Sequence, residues 1–317
     1  MKIIFLGTPD FAVPSLDILI KNGYQVVAVV TATDKPSGRG QKLNVSAVKQ
    51  YALDHNLKVL QPLKLSDPQF LNDVRELKAD LQIVVAFRMM PEVLWSMPKY
   101  GTFNLHGSLL PQYRGAAPIN RAVMNGETKT GVTTFFIRHE IDTGNIVFRK
   151  EIPISENESA GELHDKMMMI GAKLVLDTVK VLDSGITVSH SQETFVSDGE
   201  VLMPAPKIFK EDCKLDCSRS VVELHNHVRG LCPFPGAFVD IEKEDGSVFP
   251  LKIFKSMPEM AGTVLTHELI SDGKSSLKLS AADGFLHLLE VQIPGKKRMK
   301  TEELLRGFKF HNDWTVL

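Results

Sequence analysis

The sequence predicts an α/β protein, a mostly parallel sheet flanked by helices, followed by a smaller β-barrel. Three observations predict it. Through the first half, short and nearly continuous apolar runs alternate with segments of helical periodicity, the pattern of parallel strands covered on both faces. An aperiodic stretch with two prolines, residues 204–212, then breaks that pattern. Beyond it, a single helix is followed by short alternating runs punctuated by Gly and Asp, as in a small antiparallel barrel.

Residues 2–6, 24–30, 58–60, 81–86 and 102–105 are the expected parallel strands, and residues 14–22, 44–55 and 68–78 the helices between them. Residues 131–137 and 145–153 read as a hairpin closed by a turn at Asp142-Thr143-Gly144. Ser159, with Glu162 three residues on, is a capping box. It opens a long helix that runs to Leu182 and ends at Gly185. Met167, Met168 and Met169 inside it read as adaptable core filler. In the last third the expected elements are a helix at 219–228 and strands at 237–241, 251–254, 262–266, 276–279 and 285–291, the right size for an OB-like barrel. The division is therefore a first domain at 1–203, a linker at 204–212 and a second domain at 213–317. A chain ending near Ala205 would keep every strand of the parallel sheet and is expected to fold.

The 317 residues are 43% hydrophobic and 24% charged, with a formal net charge of -1. That composition supports a sizeable core and excludes a protein held to nucleic acid by bulk charge. Cys213, Cys217 and Cys232 lack the paired spacing of a zinc site and read as reduced thiols. No secretory signal is evident in the first residues, and no run approaches the roughly 20 apolar residues of a membrane span. The expectation is a soluble, cytoplasmic, monomeric protein that needs no metal and meets neither membrane nor DNA.

The first strand runs into Gly7-Thr8-Pro9-Asp10-Phe11-Ala12. A dinucleotide site would have glycine at three of these places, with backbone pressed on a pyrophosphate. Only Gly7 fits, and Pro9 removes an amide, so the unit is Rossmann-like in shape but unsuited to NAD. The stronger candidate follows the fifth strand: Asn104-Leu105-His106-Gly107-Ser108-Leu109-Leu110-Pro111-Gln112-Tyr113-Arg114-Gly115-Ala116-Ala117-Pro118. Asn104 and His106 share one strand face, because side chains alternate with period two. They stand at the carboxyl end of a sheet strand, where open α/β folds place ligands. Ile141-Asp142-Thr143-Gly144-Asn145 is the second segment; taken alone it is a good turn. His139-Glu140 opens like H-E-x-x-H, but Thr143 holds the second His place, which excludes a zincin.

Asn-x-His-Gly-Ser-x-Leu-Pro, then Tyr-Arg-Gly-x-x-Pro, then Asp-Thr-Gly, resembles the formyltransferase family that uses 10-formyltetrahydrofolate. The resemblance implies a catalytic trio of Asn104, His106 and Asp142. It places the folate at Ser108, Leu109, Leu110 and Pro111, with Val85, Ala86, Phe87, Arg88 and Met89 on the pterin side. Phe87-Arg88 stands where the family often has Tyr-Gly, and Arg138 and Glu140 replace its usual Asp and Gly. The trio suits formyl transfer. Asn104 and a protonated His106 can donate to the oxyanion that develops, a contribution commonly worth a few kcal/mol. Asp142 can hold His106 charged and receive protons.

Within the family, three segments resemble the branch that acts on initiator methionyl-tRNA. One is the loop from Thr33 to Leu43, with Lys35, Arg39 and Lys42 set among mobile glycines as phosphate contacts. Another is Arg229-Gly230-Leu231-Cys232-Pro233-Phe234-Pro235-Gly236, which adds Arg229. The third is Gly295-Lys296-Lys297-Arg298-Met299 on the barrel, adding Lys296, Lys297 and Arg298. The alternatives left open are a nucleotide-sugar N-formyltransferase, a phosphoribosylglycinamide formyltransferase, a formyltetrahydrofolate hydrolase, and a non-catalytic tRNA-binding protein.

Overall fold

A computed structural model describes residues 1–37, 42–186, 188–263, 267–311 and 314–317, with only the backbone described at 35–37 and 42–44. The chain forms two compact units. The first comprises Met1–Pro118, Lys129–Pro153 and His164–Pro204; the second comprises Ile119–Thr128, Ile154–Leu163 and Ala205–Leu317.

In the first unit the order is β1 (Lys2–Gly7), α1 (Val13–Lys21), β2 (Gln25–Val30), β3 (Lys35–Ser37), β4 (Lys42–Asn44), α2 (Ala47–Asp54), β5 (Val59–Leu60), α3 (Pro68–Glu76), β6 (Leu81–Val85), α4 (Glu92–Trp95), β7 (Thr102–His106) and β8 (Arg114–Gly115). Helix α5 (Pro118–Met124) follows, then β9 (Lys129–Phe136), β10 (Ile146–Pro153) and α6 (Ala160–Asp183). The sheet runs β10-β9-β7-β6-β1-β2-β5. Strands β5, β2, β1, β6 and β7 are mutually parallel, and β9 and β10 are antiparallel additions. The sheet is thus Rossmann-like and mostly parallel, as expected. From β1 the chain builds outward through β2 and β5, then returns to add β6 and β7 on the other side. Chain direction therefore switches between β1 and β6, where Gly7 pairs with Val85, and such a switch opens a crevice at the strands' carboxyl ends.

Local sequence explains most boundaries. The Ser46 hydroxyl accepts from Lys49 N at 3.1 Å, and Asp67 from Phe70 N at 3.0 Å ahead of Pro68, two ordinary helix starts. The Ser159–Glu162 box forms in both directions. Within α6, Gly171 has a packing reason: a Cβ there would stand 2.7 Å from Leu105 Cδ2 on β7. Of the three methionines, Met167 is core while Met169 is exposed, because consecutive helix positions point in different directions.

After β11 (Pro204–Ala205), the second unit contains α7 (Val221–Gly230), β12 (Ala237–Glu242), β13 (Val248–Met260), β14 (Leu269–Ser271), β15 (Leu277–Ala281), β16 (Gly284–Gln292), β17 (Met299–Lys300), α8 (Thr301–Leu305) and β18 (Thr315–Val316). Its antiparallel sheet runs β14-β15-β16-β13-β12-β18, with β17 beside β16. Val316 N donates to the His267 carbonyl near the start of β14, so the barrel is nearly closed. Helix α7 begins at a second capping box, Ser220 with Glu223. Gly230 at its end leaves no space for a Cβ, which would lie 2.4 Å from Met124 Cγ.

The barrel departs from expectation at two strands. Strand β13 extends well beyond residues 251–254, because Pro250 and Pro258 interrupt the alternation by which its length would be read. Of the run expected at 262–266, residues 264–266 lie outside the described residues, and the strand that follows β13 is Leu269–Ser271. Among the described residues no helix is long and apolar enough to cross a membrane.

All three cysteines are buried free thiols. Burial, helped by the negative Asp216, pushes the Cys217 thiol from its ordinary value of 9.0 up to about 11. The folded state therefore holds its proton where the unfolded chain has lost it, so this contribution is intact below pH 9 and is lost as pH rises through about 11. It is on the order of 2 kcal/mol. Denaturant midpoints should fall between pH 9 and 11, and fall less in Cys217→Ala.

Candidate active site

Strand β7 positions Asn104 and His106. Its side chains alternate, so these two face the same way, with Asn104 paired to Val84 on one side and Phe135 on the other. His106 is only 6% exposed, and its ring meets the Phe135 ring edge-on at 6.3 Å. His106 Nε2 lies 2.8 Å from the Tyr113 carbonyl. A carbonyl only accepts, so Nε2 carries the proton and Nδ1 is the nitrogen left for chemistry. Nδ1 faces Asp142 Oδ2 at 3.7 Å, an ion-pair distance and too long for a hydrogen bond. Asn104 Oδ1 is buried with no hydrogen-bond partner among the described residues, an unfavourable state that a bound N–H donor would relieve.

Asp142 comes from the connection between β9 and β10, a loop longer than a two-residue hairpin turn. Its backbone has a φ of 56°, which Asp tolerates better than most residues. Its Oδ2 accepts from Gly115 N at 2.9 Å. Gly144 completes the loop where any side chain is excluded: a Cβ would sit 1.5 Å from the Phe136 carbonyl oxygen. Gly144→Ala should displace the loop carrying Asp142, costing about 1–3 kcal/mol of stability and at least about tenfold in turnover. Thermal melting and steady-state kinetics on the same preparation check both.

The loop after β7 is braced from inside. Thr133 Oγ1 on β9 donates to the Ser108 carbonyl at 2.6 Å and accepts from Leu110 N at 3.2 Å. The Ser108 hydroxyl donates to the Gln112 carbonyl, and Tyr113 N to the Met203 carbonyl at 2.7 Å. Ser108, Leu110 and Pro111 are buried and Leu109 is half-buried, so this segment offers a ligand mainly backbone. Val85 is buried at the end of β6, Phe87 half-buried, and Ala86, Arg88 and Met89 exposed, Met89 by 76%. Arg88 donates to the Leu63 and Pro62 carbonyls. It thus ties the segment after β6 to the loop around residues 62–63.

The residues expected to meet tRNA divide. Arg39 lies outside the described residues. Lys35 and Lys42 sit at the two ends of a short antiparallel pairing of β3 with β4. Just before it, Asp34 is held by Lys49 Nζ at 2.5 Å and Gln61 Nε2 at 2.9 Å, and those bonds hold its carboxyl below the usual carboxylate range. Lys296 and Lys297 are exposed. Arg298 pairs with Glu290 and lies over the Phe254 ring at 4.7 Å. Arg229 is a correction: it is 7% exposed and donates to Asn226 Oδ1 and the Glu158 carbonyl. Burial lowers its pKa. Its side chain serves the packing of the second unit, because α7 turns that face inward.

Sequence reasoning missed Gln192. It is 4% exposed and contacts both Arg114 and the Asp142 loop. Nothing in the polar run Ser191-Gln192-Glu193-Thr194 marks it. Among the described residues no group of three or more His, Cys, Asp or Glu side chains is placed to hold a metal ion.

A Rossmann-like sheet whose strand β7 carries Asn104 and His106, with Asp142 brought against His106 from the β9–β10 loop and a nearly closed barrel in the same chain, is the arrangement of a group-transfer enzyme. The chain belongs to the formyl transferase family: the formyl transferase model matches residues 1–179, and that of the formyl transferase C-terminal domain matches residues 207–309. It is 52% identical over 310 residues to a methionyl-tRNA formyltransferase of Bacteroides fragilis, covering 97% of this chain and 95% of that one. It is 50% identical over 324 residues to the methionyl-tRNA formyltransferase of Bacteroides thetaiotaomicron, covering 100% and 98%. Its fold is similar to that of an N-formyltransferase from Helicobacter canadensis solved with folinic acid and dTDP-3-aminofucose. There the TM-score is 0.66 and the identity 23%, over 92% of this chain and 99% of that one.

Proposed function

We propose that this chain transfers the formyl group of 10-formyltetrahydrofolate to the amino group of methionine on initiator methionyl-tRNA. The observation that carries this reading is identity of about half the residues, over essentially the whole chain, with relatives named methionyl-tRNA formyltransferase. The site's chemistry is consistent with it. The donor, when bound, supplies the formyl carbon. Asn104, with its buried unsatisfied Oδ1 at the carboxyl edge of the sheet, fits a polar ligand there, and the backbone of Ser108, Leu109, Leu110 and Pro111 with residues 85–89 would hold it.

The protein's part is to bind, orient and handle protons. Asn104 Nδ2 donates toward the oxygen that gains negative charge, a role worth about 3 kcal/mol in comparable sites. His106 Nε2 is committed to the Tyr113 carbonyl, so Nδ1 is the ring nitrogen that exchanges a proton with the reacting groups. Asp142, 3.7 Å from it, stabilises the charged ring and takes up the amine's proton directly or through water. Lys35, Arg39, Lys42, Lys296, Lys297 and Arg298 are the proposed phosphate contacts.

The test is incubation with charged initiator tRNA and 10-formyltetrahydrofolate, followed by hydrolysis of the ester and identification of the amino acid, with a dTDP-linked amino sugar as a parallel acceptor. N-formylmethionine is the expected product. Formylation of the sugar alone would overturn the reading.

A further inference from the structure

We infer that Gln192 is a positioning residue that fixes the backbone of the Asp142 loop, and that it acts on turnover through Asp142. The inference rests on the proposed formyl transfer and extends it to a residue that touches no substrate in that scheme.

Every polar atom of the Gln192 amide is used. Oε1 accepts from Arg114 Nε at 3.0 Å and Nη2 at 2.6 Å. Because guanidinium only donates, this fixes which end of the amide is oxygen. Nε2 must then face the other way, and it donates to the Asp142 carbonyl at 2.7 Å and the Gly144 carbonyl at 2.8 Å. Both protons of the amide thus go to the two carbonyls that flank Thr143.

Distant parts of the sequence meet here. Ile146 and His190 exchange both backbone hydrogen bonds at 2.8 Å. That short antiparallel bridge lays the segment before Gln192 along the start of β10 and brings the side chain under the loop. Arg114 closes the other end beside Gly115, whose N–H donates to Asp142 Oδ2. Arg114, Gln192 and Asp142 form one connected circuit, and it holds a residue at positive φ whose carboxylate stands off His106. A backbone in that sparsely populated region persists when its surroundings over-determine it, and Gln192 supplies two of the constraints.

The test compares Gln192→Leu and Gln192→Glu in the full chain, each with native Asp142 and with Asp142→Ala. Steady-state kinetics use charged initiator tRNA and 10-formyltetrahydrofolate. Gln192→Glu keeps the acceptor for Arg114, so it should fold, but it has no N–H for the two carbonyls. With native Asp142, both variants should lose kcat on the order of 100-fold while KM for the formyl donor stays at the wild-type value. With Asp142→Ala, the same replacements should cost little further rate, since residues acting as one unit are not additive. Wild-type kcat in either variant would overturn the inference. So would an equal fold-loss in both backgrounds, which would make Gln192 merely structural. A wild-type enzyme that forms no formylmethionyl-tRNA would instead overturn the functional reading on which the inference stands.

Discussion

Replacing His106 with Ala is expected to lower turnover by about 10²–10⁴-fold, the range for loss of a positioned acid–base group. Asn104→Ala is expected to lose about 10²–10³-fold, as when one donor to a developing oxyanion is removed. Asp142→Ala should fall in the same range. Folate affinity should change much less, because Ser108 and Leu110 of the segment assigned to the folate are braced by Thr133 and Gln112 rather than by side chains of the trio. His106→Ala also removes the bond to the Tyr113 carbonyl, so Tyr113 itself is a useful control. A Tyr113→Phe enzyme keeps that carbonyl and should retain the backbone contact. Near-normal kcat in His106→Ala, with folate affinity unchanged, would dismantle the proposed chemistry.

The second large effect is expected from a chain ending at Ala205. Read from the sequence, such a chain keeps every strand of the parallel sheet and should fold. The structure alters that expectation. Residues 119–128 and 154–163 belong to the second compact unit, and the truncation leaves them without it. Met124 loses the barrel core it packs against. Asn120 Nδ2 loses the Gly230 carbonyl at 2.7 Å, Gly161 N the Cys232 carbonyl at 3.0 Å, and Arg121 the Asp212 carboxylate at 3.4 Å. The melting temperature should drop by about 10 °C or more, since each kcal/mol is worth roughly 2–4 °C in a domain of this size. A truncated protein that melts like the intact chain would show that the first unit stands alone.

The parallel strands were legible because burial on both faces leaves nearly unbroken apolar runs, as in Ile3–Leu6 of β1. Helix starts were legible through Ser159 and Glu162, whose side chains do locally what the sequence suggests. Asn104 and His106 could be placed on one face from the period of a strand alone. What stayed hidden depends on contacts distant in sequence. Gln192 meets Asp142 fifty residues away. Arg229, polar by type and close to a glycine–proline run, could be read as surface, yet its turn of α7 faces inward. Strand β13 was shortened in the reading by Pro250 and Pro258, which the sheet nonetheless takes into its pairing with β12 and β16.

Asn120 and Gly230 are hydrogen-bonded across 110 positions. During synthesis, at roughly 5–20 residues per second, that separation means that Asn120 waits on the order of 5–20 s before its partner is made. The hairpin of β9 and β10 lies between two segments in the same position, each completed only when later chain arrives. Vectorial folding of this protein therefore cannot finish one unit before beginning the other. The growing polypeptide carries unfinished surface, such as the side of Met124 that joins the barrel core, until its last third has left the ribosome.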